Sequence, residues 1–202
     1  MADEEQPDKN SEESETGDRE PEKEEAPVLE KPKAFLSDSN VVIKKDTDAV
    51  YGRVFYGTKE QDGTLRLSPV ETMFLLERGR IDLVEETTGS PLNLYQYLQR
   101  SNDMHPDLWT HYLVYRDLRS RGYIVKEGVS EEIPFRVYPR GGEIGRDTSK
   151  YLICIVKEGV PIELTRLDKA TSTAKGVGKR LILAVLNRQG EATYYQVSQV
   201  SI

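Results

Sequence analysis

The runs Phe135-Arg-Val-Tyr-Pro-Arg-Gly141, Ser149-Lys-Tyr-Leu-Ile-Cys-Ile-Val156 and Gly178-Lys-Arg-Leu-Ile-Leu-Ala-Val185 decide how the second half of the chain is read. Each holds a short stretch rich in β-branched and aromatic residues, bounded by Gly, Pro or charged residues, which is the pattern of a strand. The first of these strands closes on Tyr138 and the last opens just after Lys179. Past residue 122 the predicted strands are Tyr123–Lys126, Phe135–Tyr138, Tyr151–Val156, Arg180–Leu186 and Thr193–Val200. Asp168–Lys175 is the helix candidate among them, weakened by Thr171, Ser172 and Thr173.

Working upstream, Pro106 to Arg121 carries the longest helical pattern, with Leu108, Tyr112, Tyr115 and Leu118 recurring every three or four residues and Gly122 at the cap. Arg116, Arg119 and Arg121 crowd its last turns, where they complement the helix dipole or meet a phosphate. Ser90-Pro91 predicts a helix over Pro91–Arg100, and Ser68-Pro-Val-Glu71 predicts one over Pro69–Arg78 closed by Gly79. A short strand is expected at Ile81–Val84. Val50–Tyr56 and Thr64–Leu67, on either side of Asp62-Gly63, read as a β-hairpin.

The chain has 202 residues, 31% charged and 37% hydrophobic, enough for one or two small domains. Its net charge of -7 is unevenly placed. Residues 1–34 hold 13 acids and 5 bases, leaving 22 acids and 23 bases for the remainder. An acidic total is therefore no argument against RNA binding, which depends on where Lys and Arg cluster. The first segment has almost no apolar residue to bury, so residues 1–40 are read as a disordered acidic tail. The expected class is α/β (α+β), with a small N-terminal α/β domain at 41–103 and a C-terminal nuclease-type domain at 104–202 whose mixed sheet is flanked by helices. No signal-peptide, transit-peptide or membrane-spanning pattern is present, and a soluble, cytoplasmic protein is expected.

Cys154 is the only cysteine and sits in an apolar run, as a buried small hydrophobe would. With His105 and His111 as the only histidines, the chain has neither a disulfide framework nor a zinc ligand set. His111, mid-helix, reads as a packing residue. No cofactor or metal is expected.

RNA can be cut without a metal when its 2′-hydroxyl attacks the adjacent phosphate, giving a 2′,3′-cyclic phosphate and a 5′-hydroxyl. That needs a base at the 2′-oxygen, an acid at the 5′-leaving oxygen and a cation for the added charge on phosphorus. A tyrosine, a histidine and a lysine can divide these roles. Singly, a strand tyrosine is more often packed and a strand-start lysine more often solvated.

The ordered series Leu67-Ser-Pro-Val-Glu71, Leu75-Leu-Glu-Arg-Gly79, Tyr112-Leu-Val-Tyr-Arg-Asp-Leu-Arg-Ser-Arg-Gly-Tyr123, Phe135–Gly141, Ser149–Leu152, Lys179–Val185 and Thr193-Tyr-Tyr195 resembles the archaeal tRNA-splicing endonuclease family over residues 50–202. The resemblance implies that Tyr138 matches the general base and Lys179 the transition-state cation. The general-acid histidine is expected directly before Ser149, where this chain has Thr148. Loss of a general acid costs about 10²–10⁴ in rate. The adjacent Asp147 is a conceivable replacement, opposed by its neighbour Arg146.

The family occurs as homotetramers, dimers of fused repeats and heterotetramers with one degenerate subunit, so the resemblance implies precursor tRNA as substrate and a homologous, catalytically complete subunit as partner. It also implies pairing through the C-terminal strands, with Tyr195, Val197 and Val200 at the shared edge. Asn187-Arg-Gln-Gly-Glu191 holds one acid and one base where the family inserts an acidic loop into the opposite dimer. Arg136, Arg140, Lys150, Lys175 and Arg180 are the RNA-binding candidates, beside Lys179, and a solvated surface is an equal reading for each. The competing function is a non-catalytic RNA-binding or scaffold subunit, favoured by the absent histidine. A metal-dependent nuclease lacks a convincing carboxylate set.

Overall fold

The structure is a computed structural model and describes residues 31–52 and 54–200; residues 1–30 of the expected tail lie outside it. The N-terminal part runs β1 (Lys33–Ser37), β2 (Asn40–Ile43), α1 (Thr47–Tyr51), β3 (Thr58–Lys59), β4 (Leu65–Leu67), α2 (Pro69–Glu77), β5 (Asp82–Glu85), β6 (Pro91–Leu92) and α3 (Leu94–Asn102). Its sheet has the order β3-β4-β2-β1-β5-β6. The C-terminal part runs α4 (Leu108–Ser120), β7 (Ile124–Ser130), β8 (Ile133–Tyr138), β9 (Tyr151–Lys157), α5 (Leu164–Gly176), β10 (Arg180–Leu186) and β11 (Ala192–Val197). Its sheet is mixed, ordered β11-β10-β9-β8-β7, with β9 and β10 parallel and the other pairs antiparallel. The α/β class with a mixed C-terminal sheet flanked by helices is thus what the chain adopts.

Parallel strands need a crossover, and α5 supplies it between β9 and β10. The C-terminal sheet is covered on both faces, which explains why β9 reads as a continuous apolar run instead of alternating. One face, through Val125, Phe135, Val137, Ile153, Ile155, Ala184 and Leu186, shares a single core with α4, α2 and the N-terminal sheet. The other face, through Leu152, Cys154 and Leu181, packs on Ala170 and Ala174 of α5. Cys154 is buried as expected, and desolvation pushes its thiol up.

Three expectations need correction. β1 lies inside the 1–40 segment assigned to the tail: it is an interior strand between β2 and β5, with Ala34 fully buried. Its apolar run is too short to announce itself, and pairing on both sides holds it in place. Among its described residues the Val50–Tyr56 run holds no strand. Val50 and Tyr51 end α1, Phe55 takes a left-handed φ of 54°, and the hairpin around Asp62-Gly63 pairs β3 with β4 instead. Packing overrides the alternation here, because Tyr56 is buried 5.8 Å from the Phe74 ring and beneath the Arg119 guanidinium.

The Pro91–Arg100 helix begins late. Pro91 and Leu92 pair with β5, and the cap is Asn93, whose side chain and that of Gln96 each bond the other's backbone N–H at 2.9 Å. α2, by contrast, starts at Pro69 with the expected capping box between Ser68 and Glu71. The weak α5 pattern is longer than expected; Thr171 and Thr173 fit inside it by donating their hydroxyls to the Leu167 and Lys169 carbonyls.

A buried ion pair joins the two parts. Glu71 accepts from the Gly57 N–H at 3.0 Å, the Ser68 N–H at 3.0 Å and Lys126 Nζ at 2.9 Å, and Lys126 also donates to the Gly57 carbonyl at 2.6 Å. Burial pushes the Lys126 ammonium down, and the Glu71 carboxylate opposes that. Arg119, Arg116 and Arg121 serve the fold as well: Arg119 bonds the Val54 and Tyr123 carbonyls, Arg116 pairs with Glu77 and Arg121 with Asp117.

Glu71→Ala leaves Lys126 buried without its counter-ion, and unfolding in urea is expected to show a loss of about 3–5 kcal/mol. A chain starting at Asn40 lacks β1 and is expected to lose the cooperative melt that a chain starting at Lys31 retains. Equal melting temperatures for the two would contradict the interior placement of β1.

Candidate active site

Strand direction brings the three quoted runs to one place. β8 ends at Tyr138, β9 runs back antiparallel from Tyr151, and β10 runs parallel to β9 from Arg180, so the end of β8 and the starts of β9 and β10 share one edge. The ladder extends past the named strands: the Lys150 N–H donates to the Val137 carbonyl at 2.9 Å, and the Arg180 N–H donates to the Lys150 carbonyl at 3.0 Å. In register, Val137 opposes Tyr151 and Tyr151 opposes Arg180. One position outward, Tyr138, Lys150 and Lys179 form a row across three adjacent chain segments. At strand spacing the outer two lie roughly 10 Å apart between backbones.

Alternation assigns the faces. Val137, Tyr151, Ile153 and Ile182 line the α4 side, whereas Leu152 and Leu181 pack on α5. Arg136 opposes Leu152, so Arg136 and Tyr138 take the α5 side, and the parity of Lys150 with Leu152 and of Lys179 with Leu181 puts them there too. Tyr138 is 8% exposed and Lys179 half-buried.

Lys179 is placed by the end of α5. Its N–H donates to the Ala174 carbonyl at 2.9 Å and the Gly178 N–H to Lys175 at 3.1 Å, a Schellman closure that needs Gly178 at its left-handed φ of 64°. Its Nζ then donates to the Ser149 carbonyl at 2.7 Å, so the ammonium lies beside the segment that carries Thr148. Thr148 is exposed. Asp147 is occupied in the loop, its carboxylate accepting the Glu143 N–H at 2.8 Å, while Arg146 pairs with Glu143 at 2.9 Å.

The RNA-binding candidates divide. Arg136 and Lys150 are exposed on the face of Tyr138 and Lys179, and Lys175 is exposed in the last turn of α5. Arg140 stacks on Tyr123 at 4.9 Å and helps line a cleft with Tyr151, Ile182 and Tyr194, on the α4 side; Arg180, opposite Tyr151, falls on that side too. The histidines are elsewhere. Both line a cleft of about 460 Å³ with Asp107, Pro134, Lys157 and Arg166, at the start of β8 and the end of β9, the opposite end of the sheet. There His111 packs edge-on to Phe135, and burial pushes its imidazole down.

Sequence reading missed the Ser149 carbonyl as the partner of Lys179, and the position of Lys150 between Tyr138 and Lys179. The second had a signal: Lys150 is one residue ahead of the β9 run, as Lys179 is ahead of β10 and Tyr138 closes β8. Among the described residues no group of three or more His, Cys, Asp or Glu is placed to hold a metal. No helix among them is long and apolar enough to cross a membrane.

The family models for the tRNA intron endonuclease N-terminal domain and catalytic C-terminal domain match residues 33–98 and 108–194. A protein named tRNA-splicing endonuclease from Methanothermobacter thermautotrophicus is 37% identical over 168 residues, covering 82% of this chain and 95% of that protein. One of the same name from Thermococcus kodakarensis is 33% identical, covering 83% and 94%. Another, from Methanococcoides burtonii, is 32% identical across 82% of this chain but only 45% of its own length. With both domain models matched in order and relatives aligned nearly end to end, this chain belongs to the tRNA intron endonuclease family.

Proposed function

We propose that this chain is a subunit of a tRNA-splicing endonuclease, which cuts precursor tRNA at intron boundaries and leaves 2′,3′-cyclic phosphate and 5′-hydroxyl ends. The observation that carries this reading is the shared edge and face of Tyr138 and Lys179. Tyr138, in its phenolate form, takes the proton of the attacking 2′-hydroxyl. The Lys179 ammonium, oriented by the Ser149 carbonyl, balances the charge that builds on the phosphate oxygens, where a preset cation needs no rearrangement as the reaction proceeds. Arg136 and Lys175 hold the RNA backbone beside them, a contact that weakens with salt.

Position 148 limits the rate. A threonine hydroxyl is too weak an acid to protonate the leaving oxygen, so this site works slowly and full activity comes from assembly with a subunit whose site is complete. Two observations support an assembly. The M. burtonii relative is about twice the length of the matched region, as two such units in one chain would be. β11 is also an edge strand with Tyr195 54% exposed, and an open edge is where a second copy can continue the sheet. Thr148 also suits a purely structural RNA-binding subunit, in which Tyr138 and Lys179 are idle.

On a bulged precursor RNA in single turnover, Thr148→His is expected to raise cleavage by the lone chain about 10²–10⁴-fold. Tyr138→Phe and Lys179→Ala, in the native or the Thr148→His background, are expected to abolish most of it. No gain from Thr148→His and no loss from the other two would favour the structural subunit.

A further inference from the structure

Departure of a ribose 5′-oxygen as an alkoxide is slow in water, and the groups gathered at the sheet edge contain no imidazole to protonate it; both histidines lie at the far end of the sheet. Within the row of Tyr138, Lys150 and Lys179, with the tyrosine acting as a phenolate base, the groups that carry a transferable proton at neutral pH are the ammonium groups of Lys150 and Lys179. Tyr138 is assigned to the 2′-hydroxyl. Lys179 commits one N–H to the Ser149 carbonyl, which orients it as a fixed charge. Lys150 differs from both. Its backbone is clamped on each side, to Val137 and to Arg180, whereas its side chain is exposed and forms no ion pair or hydrogen bond among the described residues.

We propose that Lys150, two residues beyond Thr148 and between Tyr138 and Lys179 in the row, is the proton donor to the 5′-leaving oxygen in this chain's own site. This rests on the endonuclease reading above. The step balances. The 2′-oxygen gives its proton to the phenolate of Tyr138 and forms a bond to phosphorus, the bond from phosphorus to the 5′-oxygen breaks, and that oxygen takes a proton from Lys150 Nζ, leaving a phenol at Tyr138 and a neutral amine at Lys150. Solvent restores the ammonium and takes up the proton held at Tyr138. Lysine is apt for the role because its flexible stem carries a group that exists in both protonation states, unlike arginine. It is a weaker acid than a histidine, which matches the slow site expected from Thr148.

The test uses the full chain alone on two bulged precursor RNAs, one natural and one with sulfur in place of the bridging 5′-oxygen at the scissile bond. A thiol is far more acidic than an alcohol, so the sulfur leaves without a proton. Lys150→Ala is expected to slow cleavage of the natural RNA about 10²-fold while cutting the sulfur RNA within a few-fold of the unaltered chain. Lys150→Arg is expected to behave like Lys150→Ala, because a guanidinium keeps the charge and does not release a proton. Lys179→Ala is expected to be slow on both RNAs. Full activity of Lys150→Arg on the natural RNA, or no sulfur rescue of Lys150→Ala, overturns the assignment and leaves Lys150 a charge contact. An unaltered chain that cuts neither RNA overturns it as well, while leaving the partner-dependent reading intact. Undiminished cleavage by Tyr138→Phe and Lys179→Ala would instead remove the site reading beneath it.

Discussion

Two backbone hydrogen bonds at Lys150, from its N–H to Val137 and to its carbonyl from Arg180, hold the end of β8 and the start of β10 in register across the start of β9. Register in a sheet is unforgiving: a slip of one residue turns every side chain to the other face. Here that slip would exchange Tyr138 with Val137 and send a phenol into the core packed on α4 while exposing an apolar side chain. The apolar content of both faces of this sheet, on α4 and on α5, makes such a slip costly, so burial at a distance keeps the polar row at the edge in order.

The N-terminal part contributes to the same edge. Ile124 opposes Tyr138 across β7 and β8, and two residues along, Lys126 is tied to Glu71 and Gly57 of the N-terminal part. Arg119 adds a bond to the Val54 carbonyl and lies over Tyr56. β7 would otherwise be an open edge strand beside the tyrosine. The first domain therefore buttresses the strand that flanks Tyr138, which gives it a structural part in the candidate site.

What was legible in the sequence follows from how local the cause is. β10 and the start of α2 were readable because a continuous apolar run and a Ser-Pro-x-Glu cap are written in consecutive residues. β1 was not, because Lys33–Ser37 is held by partners on both sides that are remote in sequence. Val50–Tyr56 misled because its aromatic and β-branched residues suit a strand and a packed turn equally, and only Phe74 and Arg119 distinguish them. Pro91 misled in another way: proline starts helices and also closes short edge pairings, and the Asn93 and Gln96 cap outweighed it. In the candidate site, Tyr138 and Lys179 stood out by position within an ordered pattern. The separation of Arg140 and Arg180 from Arg136 did not, since it depends on which side of the sheet each residue takes, and the tie from Lys179 to a carbonyl leaves no mark in side-chain identity.

The proposed chemistry requires Tyr138 and Lys179 to address a common phosphate. The most direct measurement is a crystal structure of this chain with a bulged precursor RNA carrying a 2′-deoxy nucleotide at the scissile position, which binds but cannot be cut. The scissile phosphate is expected within hydrogen-bond reach of Lys179 Nζ, with the Tyr138 hydroxyl facing the carbon that has lost its oxygen. A scissile phosphate seated elsewhere, for example in the His105 and His111 cleft at the other end of the sheet, would contradict it.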